Sequence, residues 1–341
     1  RIRRRLQKHG VAVRYLESEA GGYLEVSGDD LPVRSLSPES WEGVQRVVTL
    51  TPECPHVSWG ASSRGFASPT LVSVGSVPVG AGHFVLMAGP CAIEDLQHAL
   101  ELGHALRDMG AQVFRGGAFK PRTSPYAFQG LETEGLRILA EVKAETGLPI
   151  VTEVMDPEHL EAVAEVADLL QVGSRSMTHY TLLKHLGKLR QPVLLKRGFA
   201  ATVDELLLAA EYILSGGNDQ VVLCERGVRN AAGTAQVILD LGVIPELRRR
   251  THLPILVDPS HGSGLAYRVI PLARAAAAAG ADGLIVEVHH APEDALSDGQ
   301  QALRPEEFSQ LVREVTAIRQ ALVEPTLSTR PGSLPAGARK D

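Results

Sequence analysis

One cysteine, one histidine and two carboxylates stand far apart in this chain, yet each sits at the end of an apolar run or just past it. Cys91 follows FVLMAGP (84–90), His261 follows PILVDPS (254–260), and Glu287 lies within GLIVEVH (283–289). Asp298 lies beyond it in the loop LSDGQQ. A thiolate, an imidazole and two carboxylates suit one borderline divalent ion such as Mn²⁺, Fe²⁺, Co²⁺ or Zn²⁺, with room for water or substrate. No CxxC or HExxH spacing announces the site. Taken singly, Cys91 reads as a small buried hydrophobe and His261 as a satisfied polar residue.

Cations at similar places call for anions. Arg115, Lys120, Arg122, Arg175, Lys196 and Arg226 would crowd one region of a chain whose net charge is −6. A phosphate or carboxylate ligand offsets their repulsion. The stretch FRGGAFKPRTSPYAFQG (114–130) interleaves Gly, Pro, cations and hydroxyls with Phe119, Tyr126 and Phe128, which reads as an anion-binding loop.

These residues need elements that bring them together. Eight short apolar runs alternate with mostly helical patterns: 84–90, 112–117, 149–154, 169–174, 192–198, 220–227, 254–260 and 283–289. Continuous apolar strands between helices predict a parallel sheet covered on its faces, and eight units predict a closed (β/α)₈ TIM barrel. An open doubly wound sheet is the alternative. The first run ends in GPCAIED, not in a GxGxxG turn, which counts against a dinucleotide fold. The runs end in Cys91, Arg115, Glu153, Ser174-Arg175, Lys196-Arg197, Glu225-Arg226, His261, and Glu287 with His289. In a barrel these ends form one mouth, and strand eight pairs with strand one. Cys91, His261 and Glu287 then become neighbours.

Outside 84–323 the pattern changes. Residues 1–60 predict helix, strand, strand, helix (within 38–48) and strand, a small α+β ferredoxin-like unit lacking its first strand. Residues 61–83 read as a linker with a hairpin at 71–80, and the Pro/Gly-rich tail 324–341 as disordered. The acidic balance disfavours a nucleic-acid partner, and no apolar run reaches the ~20 residues of a membrane span. Three scattered cysteines suit a reducing, cytoplasmic setting.

Six motifs now carry a resemblance. Gly89-Pro90-Cys91, the run from Arg115 to Ser124, Lys196-Arg197-Gly198, Cys224-Glu225-Arg226-Gly227, Val257-Asp258-Pro259-Ser260-His261 and Ser297-Asp298-Gly299 fall in order over residues 60–322. Together they resemble the type I beta 3-deoxy-D-arabino-heptulosonate 7-phosphate (DAHP) synthases. The resemblance implies condensation of phosphoenolpyruvate with erythrose 4-phosphate, the first step of the shikimate pathway. It implies a divalent metal on Cys91, His261, Glu287 and Asp298. It assigns phosphoenolpyruvate to Arg115, Lys120, Ser174, Arg175, Lys196 and Arg226, and the sugar phosphate to Arg122, Thr123 and Ser124. Lys120 would hold a carboxylate and deliver a proton, and Glu153 or His261 would position the water. The resemblance further implies a homotetramer and an aromatic amino acid effector, with regulation in question because the first strand is missing. The related octulosonate synthases, which use arabinose 5-phosphate, carry Asn-Arg-Ser where this chain has Pro121-Arg122-Thr123-Ser124. A catalytically silent barrel is disfavoured because no matched ligand is lost. Asn230-Ala231-Ala232-Gly233-Thr234 and Gly262-Ser263-Gly264 depart from the family pattern.

Overall fold

Strands buried on both faces need apolar residues at every position, and the structure shows where each parity goes. It is a computed structural model that describes residues 2–18, 21–27, 36–45, 47, 53–59, 68–122, 124–229 and 237–323. Thr123, the stretch 230–234, the strand expected after the second helix and the tail 324–341 lie outside the described residues.

The chain begins with a helix, Ile2–Gln7, and an antiparallel hairpin of β1 (Ala12–Ser18) and β2 (Gly21–Ser27). Leu6, Val11, Val13 and Trp41 form a small core beneath them. The helix expected within 38–48 is not there. A 3₁₀ turn, Pro38–Ser40, ends at Trp41 in extended conformation, and the indole donates to Leu36 O. Gly43 at φ 87 then takes the chain out of any helical path. Pinning the Trp41 ring on this core outweighs the local helix pattern.

Residues 53–59 fasten to the barrel. The Glu211 carboxylate accepts the amides of His56 and Val57, and Thr251 Oγ1 donates to Val57 O. The hairpin of β3 (Val72–Val74) and β4 (Val77–Val79) follows, close to the expected 71–80.

Eight parallel strands close the barrel: β5 (Val85–Gly89), β6 (Val113–Arg115), β7 (Ile150–Glu153), β8 (Leu169–Val172), β9 (Val193–Lys196), β10 (Val221–Glu225), β13 (Ile255–Val257) and β14 (Gly283–Glu287). Between β10 and β13, the two-residue strands β11 (Val228–Arg229) and β12 (Val237–Ile238) pair with each other. The last barrel strand pairs with the first, Glu287 opposite Gly89. The closed order settles the choice between barrel and open sheet.

Inside the barrel sit Val85, Met87, Val113, Val151, Leu169, Leu194, Val222, Cys224, Leu256 and Ile285. Val72, Val74 and Val79 of the hairpin join this cluster and plug the end where the strands begin. The alternate residues, such as Leu86, Ala88, Leu195 and Leu223, face the helices in the larger core. This period-two split sets the site: extending the inward parity past each strand reaches Arg115, Glu153, Lys196, Arg226, Asp258 and Glu287.

Candidate active site

Local sequence fixes the first ligands. Asp258 caps a one-turn helix, Pro259–Ser263, by accepting from the amide of His261, with Pro259 at the first position. The same carboxylate takes the His261 ring: Nδ1 lies 2.7 Å from Asp258 Oδ2. The imidazole proton therefore faces Asp258, and Nε2 faces Glu287 Oε1 at 3.3 Å. Gly89 crosses so close to β6 that a Cβ there would meet Arg115 O at 1.9 Å. Beyond the strands, Gly117 N donates to Cys91 O at 3.2 Å, and Gly117 O accepts from Ile93 N at 3.0 Å. Asp298 adopts φ 52, and Gly299 leaves no space for a Cβ against Pro292 O.

The four expected ligands converge. One donor atom from each of Cys91, His261, Glu287 and Asp298 lies within 4.8 Å of all the others. Cys91 Sγ donates to Asp298 Oδ2 at 3.1 Å and is 3.0 Å from Ser297 Oγ. Burial, with Glu287 nearby, pushes this thiol up to about 12. The donor set fits a borderline divalent ion, whose charge would lower the thiol and take up the two carboxylates. Burial opposes the charge on Glu287, but His261, Arg115 and Lys120 together hold its carboxyl down at about 2. Arg115 donates to Glu287 Oε1 at 2.8 Å, and Gln301 to Oε2 at 2.6 Å.

The cations line the same mouth. Lys120 is buried and donates to Cys91 O at 3.0 Å. Lys196 is buried 2.5 Å from Asp258 Oδ2. Burial opposes the Asp258 charge too, yet His261 and Lys196 hold its carboxyl well below the usual range. Arg226 and Arg175 stack over the Phe199 ring, at 4.5 and 5.4 Å from its centroid. Arg226 Nη1 and Ser174 Oγ are buried without a hydrogen-bond partner. A buried guanidinium nitrogen and hydroxyl in that state fit an acceptor-rich ligand such as a phosphate. Arg122 reaches Phe128 O, Ser297 Oγ and, at 3.9 Å, Asp298. Ser124 is exposed in the same loop. Glu153 is buried and accepts from Gln171 at 3.2 Å.

Some strand-end residues serve the scaffold. Arg197 and Glu225 have outward parity and pair at 2.9 Å, with Asp240 joining Arg197 at 3.1 Å. His289 turns away to Glu94 and His98. Gln301, Phe199 and Gln171 were not singled out from sequence, and Asp258 and Ser297 stood only within motifs, with no role of their own. Asp258 carried a signal, an inward-parity carboxylate directly before Pro259. Gln301 carried none, since its role exists only where the loop folds back on Glu287.

Fold and site define a (β/α)₈ enzyme whose strand ends bring four candidate metal donors and several buried cations to one C-terminal mouth. The family model of the DAHP synthetase I family matches residues 67–321. The chain belongs to that family. It is 45% identical over 300 residues to phospho-2-dehydro-3-deoxyheptonate aldolase of Thermotoga maritima, covering 88% of this chain and 87% of that protein. It is 33% identical over 269 residues to 2-dehydro-3-deoxyphosphooctonate aldolase of Syntrophotalea carbinolica, covering 73% and 96%. The crystal structure of the Thermotoga maritima DAHP synthase superposes with a TM-score of 0.76 at 42% identity, covering 94% of this chain and 92% of that one.

Proposed function

We propose that the chain condenses phosphoenolpyruvate with erythrose 4-phosphate and water, releasing phosphate and forming 3-deoxy-D-arabino-heptulosonate 7-phosphate. The supporting observation is the convergence of Cys91, His261, Glu287 and Asp298 beside buried cations in a chain of this family. A divalent ion held by these four, of the Mn²⁺, Fe²⁺, Co²⁺ or Zn²⁺ class, would supply Lewis-acid polarisation of the aldehyde.

The chain's own groups do the rest. Arg115, Lys120, Lys196 and Arg226, with Ser174 and Arg175, hold phosphoenolpyruvate by its carboxylate and phosphate. Arg122, Thr123 and Ser124 hold the sugar phosphate. C3 of the enol phosphate attacks the aldehyde carbon, water adds at C2, and phosphate leaves as the C–O bond breaks. Burial opposes the Lys120 charge, but Cys91 and Glu153 raise its pKa above the ordinary lysine value, so it arrives protonated and delivers a proton. Glu153, steadied by Gln171, or His261, steadied by Asp258, positions the water.

We place the catalytic barrel at 84–323, the accessory unit at 1–60 with its linker at 61–83, and the tail at 324–341. A homo-oligomer, an aromatic amino acid effector and a cytoplasmic setting belong to the same reading. Among the described residues no helix is long and apolar enough to cross a membrane. The test of the metal assignment is chelation followed by readdition of Mn²⁺, in the wild-type chain and in Cys91→Ala. Turnover should vanish and return in the first and stay low in the second. Full activity of Cys91→Ala would overturn the assigned site.

A further inference from the structure

A second group of donors lies just outside the mouth, on the loops that carry the first. Glu94 follows Cys91 by three residues, and His289 follows Glu287 by two. Asp95 caps helix Leu96–Asp108 by accepting from the amide of His98, which places the His98 ring beside His289. The two rings lie 4.2 Å apart between centroids, and His290 is 5.3 Å from His98. One donor atom from each of Glu94, His98 and His289 lies within 4.8 Å of the others. The Nε2 atoms of His98, His289 and His290 are all buried without a hydrogen-bond partner. His289 is only 6% exposed. Two of these imidazole nitrogens, on His98 and His289, share one cluster with the Glu94 carboxylate, an arrangement that suits a bound cation.

We propose that Glu94, His98 and His289 form a second divalent-cation site, for an ion of the zinc class, joining the loop after β5 to the loop after β14. Two imidazoles and a carboxylate are a common donor set for such ions. Metal–ligand lengths of about 2 Å bring donors to roughly 4 Å or less of one another, so small side-chain movements close the set. Glu94 is already anchored, because its Oε1 accepts from Leu296 N at 2.8 Å, while Oε2 lies 3.5 Å from His289 Nε2. Loading has a structural cost. Ala291 N donates to His289 Nδ1 at 3.1 Å, which puts the ring proton on Nε2. An ion on Nε2 needs that proton on Nδ1, so the Ala291 contact must open. The inference does not depend on the substrates of the barrel.

The test uses the full chain, freed of metal, with Zn²⁺ in equilibrium dialysis and Co²⁺ in absorption spectroscopy. Wild type should bind two ions. His98→Gln and Glu94→Gln should each bind one, and that ion should keep the thiolate-to-cobalt charge-transfer band of Cys91. Cys91→Ala should still bind cobalt without that band, and adding His98→Gln should remove one further ion. Circular dichroism checks that each variant is folded. A wild type that binds a single ion would overturn the proposal. So would folded His98→Gln and Glu94→Gln proteins that still bind two, which would leave Glu94–His289 as a brace between loops.

Discussion

Replacing Asp258 by Asn changes one oxygen for an NH₂ group and should disable both the ion and the substrate side of the mouth. Asp258 Oδ1 caps the turn that carries His261, and an amide oxygen keeps that contact. Oδ2 faces two donors, Lys196 Nζ at 2.5 Å and His261 Nδ1 at 2.7 Å. The Asn NH₂ would face both, so either rotamer leaves donors opposed. At an effective dielectric of about 20, the Lys196 attraction alone is roughly 6–7 kcal/mol in gross terms. The cost of burying the carboxylate, several kcal/mol, disappears with it. A net loss of about 3 kcal/mol in stability follows. His261 loses the partner that fixes its tautomer, which should weaken ion binding roughly 10–100-fold. Lys196 loses the carboxylate that holds its amine in place, so the KM for phosphoenolpyruvate should rise as well. The assay is Mn²⁺ affinity by equilibrium dialysis, with kcat and KM measured at saturating ion. A folded Asp258→Asn protein with wild-type ion affinity and wild-type KM would refute the positioning argument.

Other expectations rest on the same geometry. Gln301→Leu strips the 2.6 Å donor from Glu287 and should weaken ion binding roughly tenfold, read by dialysis, while leaving the fold intact. Glu287 is held down to about 2 in the folded chain against 4.5 ordinarily, so its contribution is complete above about pH 4.5 and lost as pH falls toward 2; acid unfolding of Glu287→Gln should lack that component. The Cys91 thiol sits at about 12 without an ion and must lose its proton to bind one, so apparent affinity should rise about tenfold per pH unit near neutrality, and a pH-independent affinity would contradict the thiolate ligand. Tyr or Phe titrated into the assay tests the effector reading, which expects inhibition by one of them; no inhibition by either would remove it.

Strand alternation explains why so much of the barrel was legible. Runs such as VVLC and GLIV are apolar at every position because one parity fills the interior and the other meets the helices. Their polar ends therefore marked the mouth, and Cys91, His261, Glu287 and Asp298 could be grouped through closure of strand eight on strand one. The pairs Lys196-Arg197 and Glu225-Arg226 show the limit. Both members looked alike as strand ends, yet a shift of one residue sends Arg197 and Glu225 outward to each other. Gln301 and Phe199 were invisible because their partners are tertiary. The helix pattern around Trp41 misled because burial of one indole overrode a weak local preference.

The central claim is the choice of reaction, and one measurement tests it most directly. Phosphoenolpyruvate is supplied with erythrose 4-phosphate or arabinose 5-phosphate in parallel, with a divalent ion present, and kcat/KM is taken from phosphate release with the sugar product identified by mass. The account predicts that erythrose 4-phosphate is used far better and yields the seven-carbon heptulosonate phosphate. An equal or reversed preference would contradict it and move the chain to the octulosonate branch.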